Sequence, residues 1–190
     1  MKSRIEKLIK QADSLKELSE VAEFIIQSGF APSGVTNPKR IIFQLDVGEK
    51  LGVGWLEAVQ GITVLDGVAV IMGDLALNVV MSSGLLVDFE VENNNIECTV
   101  KARRKDHEYP ISFSYSIYQA AENGLKNFGW QMYPERMIYY RALSYSLRSL
   151  FPDLLGGLHI YEEMESADPK IMASHNIEMS ALEALKKRKR

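Results

Sequence analysis

The stretch WQMYPERMIYYRALSYSLRSLFPDLLGG, residues 130–157, decides the fold because it contains the start and stop signals of one long helix. Pro134 suits the first turn of a helix, where its fixed φ fits and its missing N–H is not needed. Pro152 and the pair Gly156-Gly157 end the same helix. The spacing therefore predicts a central helix of about five turns.

The two faces of this helix differ in chemistry. At about 100° per residue, one apolar stripe contains Tyr140, Leu143, Leu147, Leu150 and Phe151. A neighbouring flank contains Met137, Arg141, Ser144, Tyr145 and Arg148. The two arginines of this flank lie about 10 Å apart along the axis, a spacing similar to that of nearby nucleotides in a strand. Either they contact phosphate groups, or they are solvated and pair with local acids.

The segments around this helix alternate between helical and strand patterns. Residues 5–27 predict one broken helix or two short ones, with Ser14 as a cap, and Asn37-Pro38 opens another helix that Gly52 ends. The pair Asp66-Gly67 predicts a β-hairpin, and residues 86–91, 96–103 and 111–115 predict an antiparallel sheet. The predicted class is α+β, with N-terminal helices, a β-hairpin, a small antiparallel sheet and a long central helix.

Length and composition predict one domain with a tail. A chain of 190 residues that is 46% hydrophobic can bury a full core. Residues 1–157 are expected to form a single domain, and residues 158–190 an acidic and then basic tail that is partly helical or flexible. The apolar runs are too short to cross a bilayer, and the first residues lack a signal-peptide core. We therefore expect a cytoplasmic protein that contacts no membrane.

The charge distribution matters more than the net charge. The total of −3, from 22 basic and 25 acidic residues, argues against a protein that coats duplex DNA through charge alone. Between residues 101 and 148, however, eight basic residues face four acidic ones, so this segment carries +4 and the remainder −7. This asymmetry predicts a basic patch on an acidic body.

The sequence offers few of the motifs that enzymes use. A single cysteine, Cys98, excludes an internal disulfide and a cysteine-based zinc site, and the three histidines lack ligand spacing, so no metal is expected. Phosphate-binding and dinucleotide-binding glycine motifs are missing too, so no cofactor is expected. Asp88, Glu90 and Glu92 alternate along one strand. They form either a solvated strand face or the metal site of a nuclease.

Basic side chains alternate with aromatic ones through the second half of the chain. The residues are Arg103, Arg104, Tyr109, Tyr115, Trp130, Tyr133, Arg136, Tyr139, Arg141, Tyr145 and Arg148. Single-stranded nucleic acid is bound by this combination, because the phosphates require positive charge and the exposed bases stack on rings. The alternative interpretation is a set of core aromatics with solvated arginines.

Two stretches resemble the RecT/Redβ family of phage-type single-strand annealing recombinases. They are PKRIIFQLDVGEKLGVGWLEAVQGITVLDGVAVIMGDLALNVVMSSG and GWQMYPERMIYYRALSYSLRSLFPDLLGG, which together span most of residues 38–157. In that family a helix after a tryptophan carries a methionine, a basic residue and a later arginine. This chain has residues of similar type in the same order, namely Trp130, Met137, Arg141 and Arg148.

The resemblance implies ATP-independent binding of single-stranded DNA and annealing of complementary strands, without bond chemistry. It also implies a ring or helical filament of identical subunits, an exonuclease partner and a bacterial host cytoplasm. The expected nucleic-acid-binding residues are Lys101, Arg103, Arg104, Trp130, Tyr133, Arg136, Arg141, Tyr145 and Arg148. We expect Arg104, Arg136, Arg141 and Arg148 to line one groove near Trp130. The alternatives are an oligomeric scaffold protein that binds no nucleic acid and the metal-dependent nuclease.

Overall fold

A computed structural model describes residues 4–12, 14–65, 67–125 and 128–164. This part of the chain is mixed α+β, which confirms the predicted fold class. The helices are α1 Arg4–Gln11, α2 Leu15–Gln27, α3 Pro38–Leu51, α4 Trp55–Gly61, α5 Gly73–Ser82, α6 Ile117–Glu122, α7 Phe128–Met132, α8 Pro134–Leu150, α9 Pro152–Leu155 and α10 Tyr161–Met164. The strands are β1 Ile62–Leu65, β2 Val68–Ile71, β3 Leu86–Asn93, β4 Glu97–Arg104, β5 Ile111–Ser116 and β6 His159–Ile160.

Local capping signals set the helix boundaries in the first third of the chain. Ser14 closes the N-terminus of α2 in a capping box. Asn37 Oδ1 accepts a hydrogen bond from the Lys39 N–H at 3.0 Å, directly before Pro38 in the first turn of α3. Gly52 then ends α3 at φ 72°, a left-handed conformation that favours glycine. These predicted boundaries are confirmed.

The first sheet is the predicted hairpin with one added strand. Strands β1 and β2 pair antiparallel, and Gly67 has the positive φ, 82°, that such a tight turn needs. Two residues of β6 pair parallel with β2, through Val70 to His159 and Ile71 to Ile160. Strand β6 is not evident from the sequence, because two residues are too few to show a period.

The second sheet carries α8 on one face. Its strands are antiparallel, as predicted, and their order is β3-β4-β5. Cys98, Val100 and Ala102 of β4 point to the buried face with Tyr115 of β5. The intervening residues of β4 point to the opposite face, because side chains alternate along a strand.

Helix α8 lies between the second sheet, α5 and α10, and it is more buried than its sequence indicates. Ten of its 17 residues are buried. Met137, Arg141 and Ser144, which the sequence placed on a flank open to phosphate, are among them. This flank is therefore accessible only in part. Tyr145 and Arg148 remain partly exposed.

The packed chain continues past the predicted domain boundary at residue 157. The Gly73 N–H at the start of α5 donates to Glu162 Oε2 at 3.0 Å, and Glu163 of α10 pairs with Arg148 of α8. The division into residues 1–157 and 158–190 stays a prediction, since residues 165–190, including the terminal KKRKR, lie outside the described residues. No helix within the described ranges has the length and apolar character needed to cross a membrane.

Candidate nucleic-acid interface

Two of the nine predicted residues lie on the outer face of the second sheet. Lys101 and Arg103 occupy β4 positions that alternate with its buried residues, so they point away from α8. The Lys101 ammonium lies 3.2 Å from Glu90 on β3, and Arg103 pairs with Asp88 on the same strand. These two cations are thus separated by the sheet from the predicted residues of α8.

Arg104 fastens the second sheet to the C-terminal end of α8. Its Nη1 donates to the Leu150 carbonyl at 2.9 Å, and its Nη2 donates to Asp153 at 2.8 Å. The guanidinium also lies over the Phe151 ring, 5.5 Å from its centroid. Hydrogen bonding to Arg104 lowers the pKa of Asp153 to about 2. Arg104 therefore has an evident structural role at the end of the helix.

Arg136 lies at the other end of α8 and on another side. It precedes Arg141 by five residues, which turns it about 140° around the axis. Its guanidinium is 5.4 Å from the centroid of the Tyr140 ring. The Tyr140 hydroxyl donates to Asp74 of α5 at 2.9 Å, and burial, followed by this bond, raises the pKa of Tyr140. Arg136 thus belongs to the contact between α8 and α5.

Arg148 is held by the segment that follows the predicted boundary. Its Nη1 lies 2.6 Å from the carboxylate of Glu163, whose side chain is only 10% exposed, whereas that of Arg148 is 41% exposed. Arg104, Arg136, Arg141 and Arg148 consequently occupy separate environments. The structure does not bring them together in one groove.

Arg141 differs from the other predicted cations. Its side chain is 5% exposed, and its guanidinium lies 5.9 Å from the centroid of the Tyr115 ring. Neither Nε nor Nη2 has a hydrogen-bond partner, and no carboxylate within the described ranges pairs with it. The Ser144 hydroxyl, one turn further along the same flank, is fully buried and also lacks a partner. A buried charge and a buried hydroxyl thus lie on one flank of α8 with unmet hydrogen-bonding capacity.

Two further aromatic rings pack against Tyr115, the ring that lies beside this guanidinium. We call Tyr115, Trp130, Arg141 and Tyr145 together the Tyr115 cluster. The Tyr115 ring is 6.1 Å from the Trp130 ring and 5.8 Å from the Tyr145 ring, centroid to centroid. Trp130 is 6% exposed and Tyr145 39% exposed, so the cluster extends from the core to the surface. Tyr133, between α7 and α8, is 57% exposed.

The structure thus brings together three of the predicted residues, Trp130, Arg141 and Tyr145, around a residue that was not in the predicted set. In the sequence, Tyr115 is one aromatic residue among many. It lies at the end of an alternating strand, on the same face as Phe113. The strand pattern does not reveal which helix residue it meets.

Comparison of the chain with models of known protein families and with curated proteins finds no match. The resemblance described above therefore rests on the quoted residues alone.

The metal-dependent nuclease considered above would need acidic side chains that converge on a metal ion, and the described part of the chain shows no such group. Asp88 and Glu90 are engaged with Arg103 and Lys101 across the sheet. Within the described ranges, no three His, Cys, Asp or Glu side chains lie close enough to hold a metal ion together. No observation on these residues favours a nuclease.

Proposed function

We propose that this protein binds single-stranded DNA and anneals complementary strands without ATP, using the Tyr115 cluster as part of the contact surface. The observation that carries the proposal is the buried guanidinium of Arg141, which lies beside the Tyr115 ring and leaves Nε and Nη2 without a hydrogen-bond partner. The resemblance of residues 38–157 to the RecT/Redβ family supports the same reaction. In this reaction no covalent bond is made or broken, so the protein is not an enzyme in the hydrolytic sense.

The energetic argument concerns Arg141. A buried cation without a counter-ion costs several kcal/mol, and each buried N–H without a partner adds roughly 1–3 kcal/mol. A fold that retains such a group gains nothing in stability from its charge. An anion that reaches the guanidinium recovers this cost, and the phosphates of a nucleic acid match its donors well.

The rings supply the second half of the contact. Bases of an unpaired strand stack on aromatic side chains, at roughly 1–3 kcal/mol per base, with little dependence on sequence. Tyr145 and Tyr133 expose enough of their rings for such stacking. A strand held by its phosphates and stacked at intervals presents its remaining bases to a complementary strand.

Four of the predicted cations offer little free positive charge, because each pairs with a carboxylate: Lys101, Arg103, Arg104 and Arg148. We therefore propose that a homo-oligomer, a ring or a helical filament, repeats the contact and gains affinity through multivalency. An exonuclease that exposes the strand is the proposed partner, and the bacterial cytoplasm the proposed location.

The test is duplex formation from two complementary labelled oligonucleotides, mixed with the protein in the absence of ATP. We expect acceleration by the wild type and a loss of about tenfold or more in strand affinity for Arg141→Met, since a charged hydrogen bond contributes about 1.5–3 kcal/mol. Lys50→Ala is the matched control. It also removes one positive charge, but from an exposed ion pair on α3. Equal loss in both variants would contradict a specific role for Arg141.

Salt dependence gives an independent readout. A plot of the logarithm of the binding constant against the logarithm of the salt concentration should have a slope of about −0.7 per neutralised phosphate. Arg141→Met should lose one phosphate contact, so its slope should be less steep by about 0.7. Magnesium-dependent loss of the single strand would instead indicate a nuclease.

A scaffold protein without nucleic-acid binding is the second candidate, and the ion pairs of the predicted cations favour it. Such a protein would form oligomers yet show no affinity for the labelled oligonucleotide at any salt concentration. Both functions involve oligomers, so affinity for the oligonucleotide and the annealing reaction are the measurements that separate them.

A further inference from the structure

The second sheet has two unpaired edges. In the order β3-β4-β5 the outer strands each have one neighbour, and no backbone hydrogen bond joins their outer edges to any other described residue. The edges are eight and six residues long. Because an open edge presents unpaired N–H and C=O groups, it is a template for another strand.

Apolar side chains on the packed face are incompletely covered at both edges. Val91 of β3 pairs with buried Val100, and Ile111 of β5 pairs with buried Ala102, so both point to the same side of the sheet as the core. Even so, Val91 is 39% exposed and Ile111 is 40% exposed. A strand added at either edge would cover these groups with its own apolar side chains.

The two edges differ in charge. On the outer face β3 carries Asp88, Glu90 and Glu92, whereas β5 carries the hydroxyls of Ser112 and Ser114 and no charged residue. Asp88 and Glu90 are already paired within the subunit, yet pairing of β3 with a second β3 would still bring the carboxylates of one strand next to those of the other, which is unfavourable. Pairing of β3 with β5 would place them opposite hydroxyl donors.

We propose that β5 of one subunit pairs with β3 of the next, so that the second sheet continues from subunit to subunit. The partner is a second copy of this chain, and the contact joins two different surfaces. A contact of this kind closes into a ring or grows into a filament, depending on the rotation between neighbours. The proposal concerns the protein alone and does not depend on DNA binding.

A matched pair of charge variants tests it. Ser112 is exposed on β5, and its replacement by aspartate or lysine changes the charge of the edge in opposite directions. Sedimentation over a range of concentrations should show an association of the wild type that Ser112→Asp weakens about tenfold or more and Ser112→Lys retains. Circular dichroism and thermal melting establish that both variants are folded.

Three results would overturn the proposal. A wild type that stays monomeric at every concentration, or association unchanged in both variants, would show that this edge is not an interface. Equal weakening by both charges would indicate pairing of β5 with itself.

Crosslinking checks the partner strand directly. Glu92→Cys and Ser112→Cys subunits, mixed and treated with a short bismaleimide, should yield a dimer that neither gives alone. Cys98 is fully buried, and burial, followed by the neighbouring Glu97, raises its pKa to about 11, so it does not compete. A crosslink in the Ser112→Cys protein alone, or none in the mixture, would refute the pairing.

Discussion

Replacement of Arg141 by methionine is expected to make the protein more stable and less able to bind single-stranded DNA. Methionine keeps an unbranched chain of similar reach, and it removes the buried charge together with its two unpartnered N–H-bearing nitrogens. If Arg141 served only to support the fold, its replacement would lower the free energy of unfolding instead. The variant therefore separates a binding role from a structural one.

The magnitude follows from the contacts of the guanidinium. Relief of two unsatisfied buried nitrogens contributes roughly 1–3 kcal/mol each, while loss of the cation–π contact with Tyr115 costs about 0.5–2 kcal/mol. Replacements of buried charges by apolar residues of similar volume have stabilised proteins by about 1–4 kcal/mol. We expect a gain of roughly 1–3 kcal/mol in the free energy of unfolding. For a chain of this size the melting temperature should rise by roughly 2–12 °C.

Urea denaturation followed by circular dichroism measures this free energy, and Lys50→Met serves as the control. Lys50 and its partner Asp46 are both exposed, so this replacement should change stability by less than about 1 kcal/mol. A loss of more than about 1 kcal/mol in Arg141→Met would refute the reasoning. It would mean that the guanidinium is satisfied and belongs to the structural core.

Three further predictions concern other parts of the fold. Glu163→Gln removes the carboxylate that pairs with Arg148, so it should raise the affinity for a labelled single strand several-fold. Fluorescence anisotropy measures this affinity, and an unchanged value would exclude Arg148 from the contact. Asp153, whose pKa is lowered from 3.8 to about 2, should contribute stability that is fully present above about pH 4 and is lost as pH falls towards 2. The difference in melting temperature between wild type and Asp153→Asn should shrink over that interval, and a constant difference would contradict the pairing. Gly48→Val should destabilise the protein by roughly 1–3 kcal/mol in urea, since even a Cβ at this position would lie 2.3 Å from the Ala58 Cβ; a neutral result would show that α3 and α4 separate freely.

Local signals explain which elements the sequence predicted. Ser14, Asn37 and Pro134 mark helix starts through short-range hydrogen bonds or a fixed φ, and Gly67 marks a turn through its positive φ. Each of these effects involves residues within a few positions of one another. The alternation of residues 86–116 likewise defines three strands without reference to the rest of the chain.

The candidate site was less predictable because its environment is non-local. The burial of Arg141 depends on elements far away in sequence, and the pairing of Arg148 with Glu163 depends on a four-residue helix beyond the expected boundary. Lys101 and Arg104 are three residues apart, and strand alternation sends them to opposite faces of the sheet. Helical periodicity gave the direction of each α8 side chain but not the partner it meets.

The attachment of α10 determines how the C-terminal region can be dissected. A shortened chain that stops at Gly157 would lose β6 from the first sheet, expose the first N–H of α5 and release Arg148 in one step. Any change in DNA affinity would then mix the effect of the missing tail with that of a newly freed cation. Deletions meant to isolate the contribution of residues 165–190 should therefore begin after Met164.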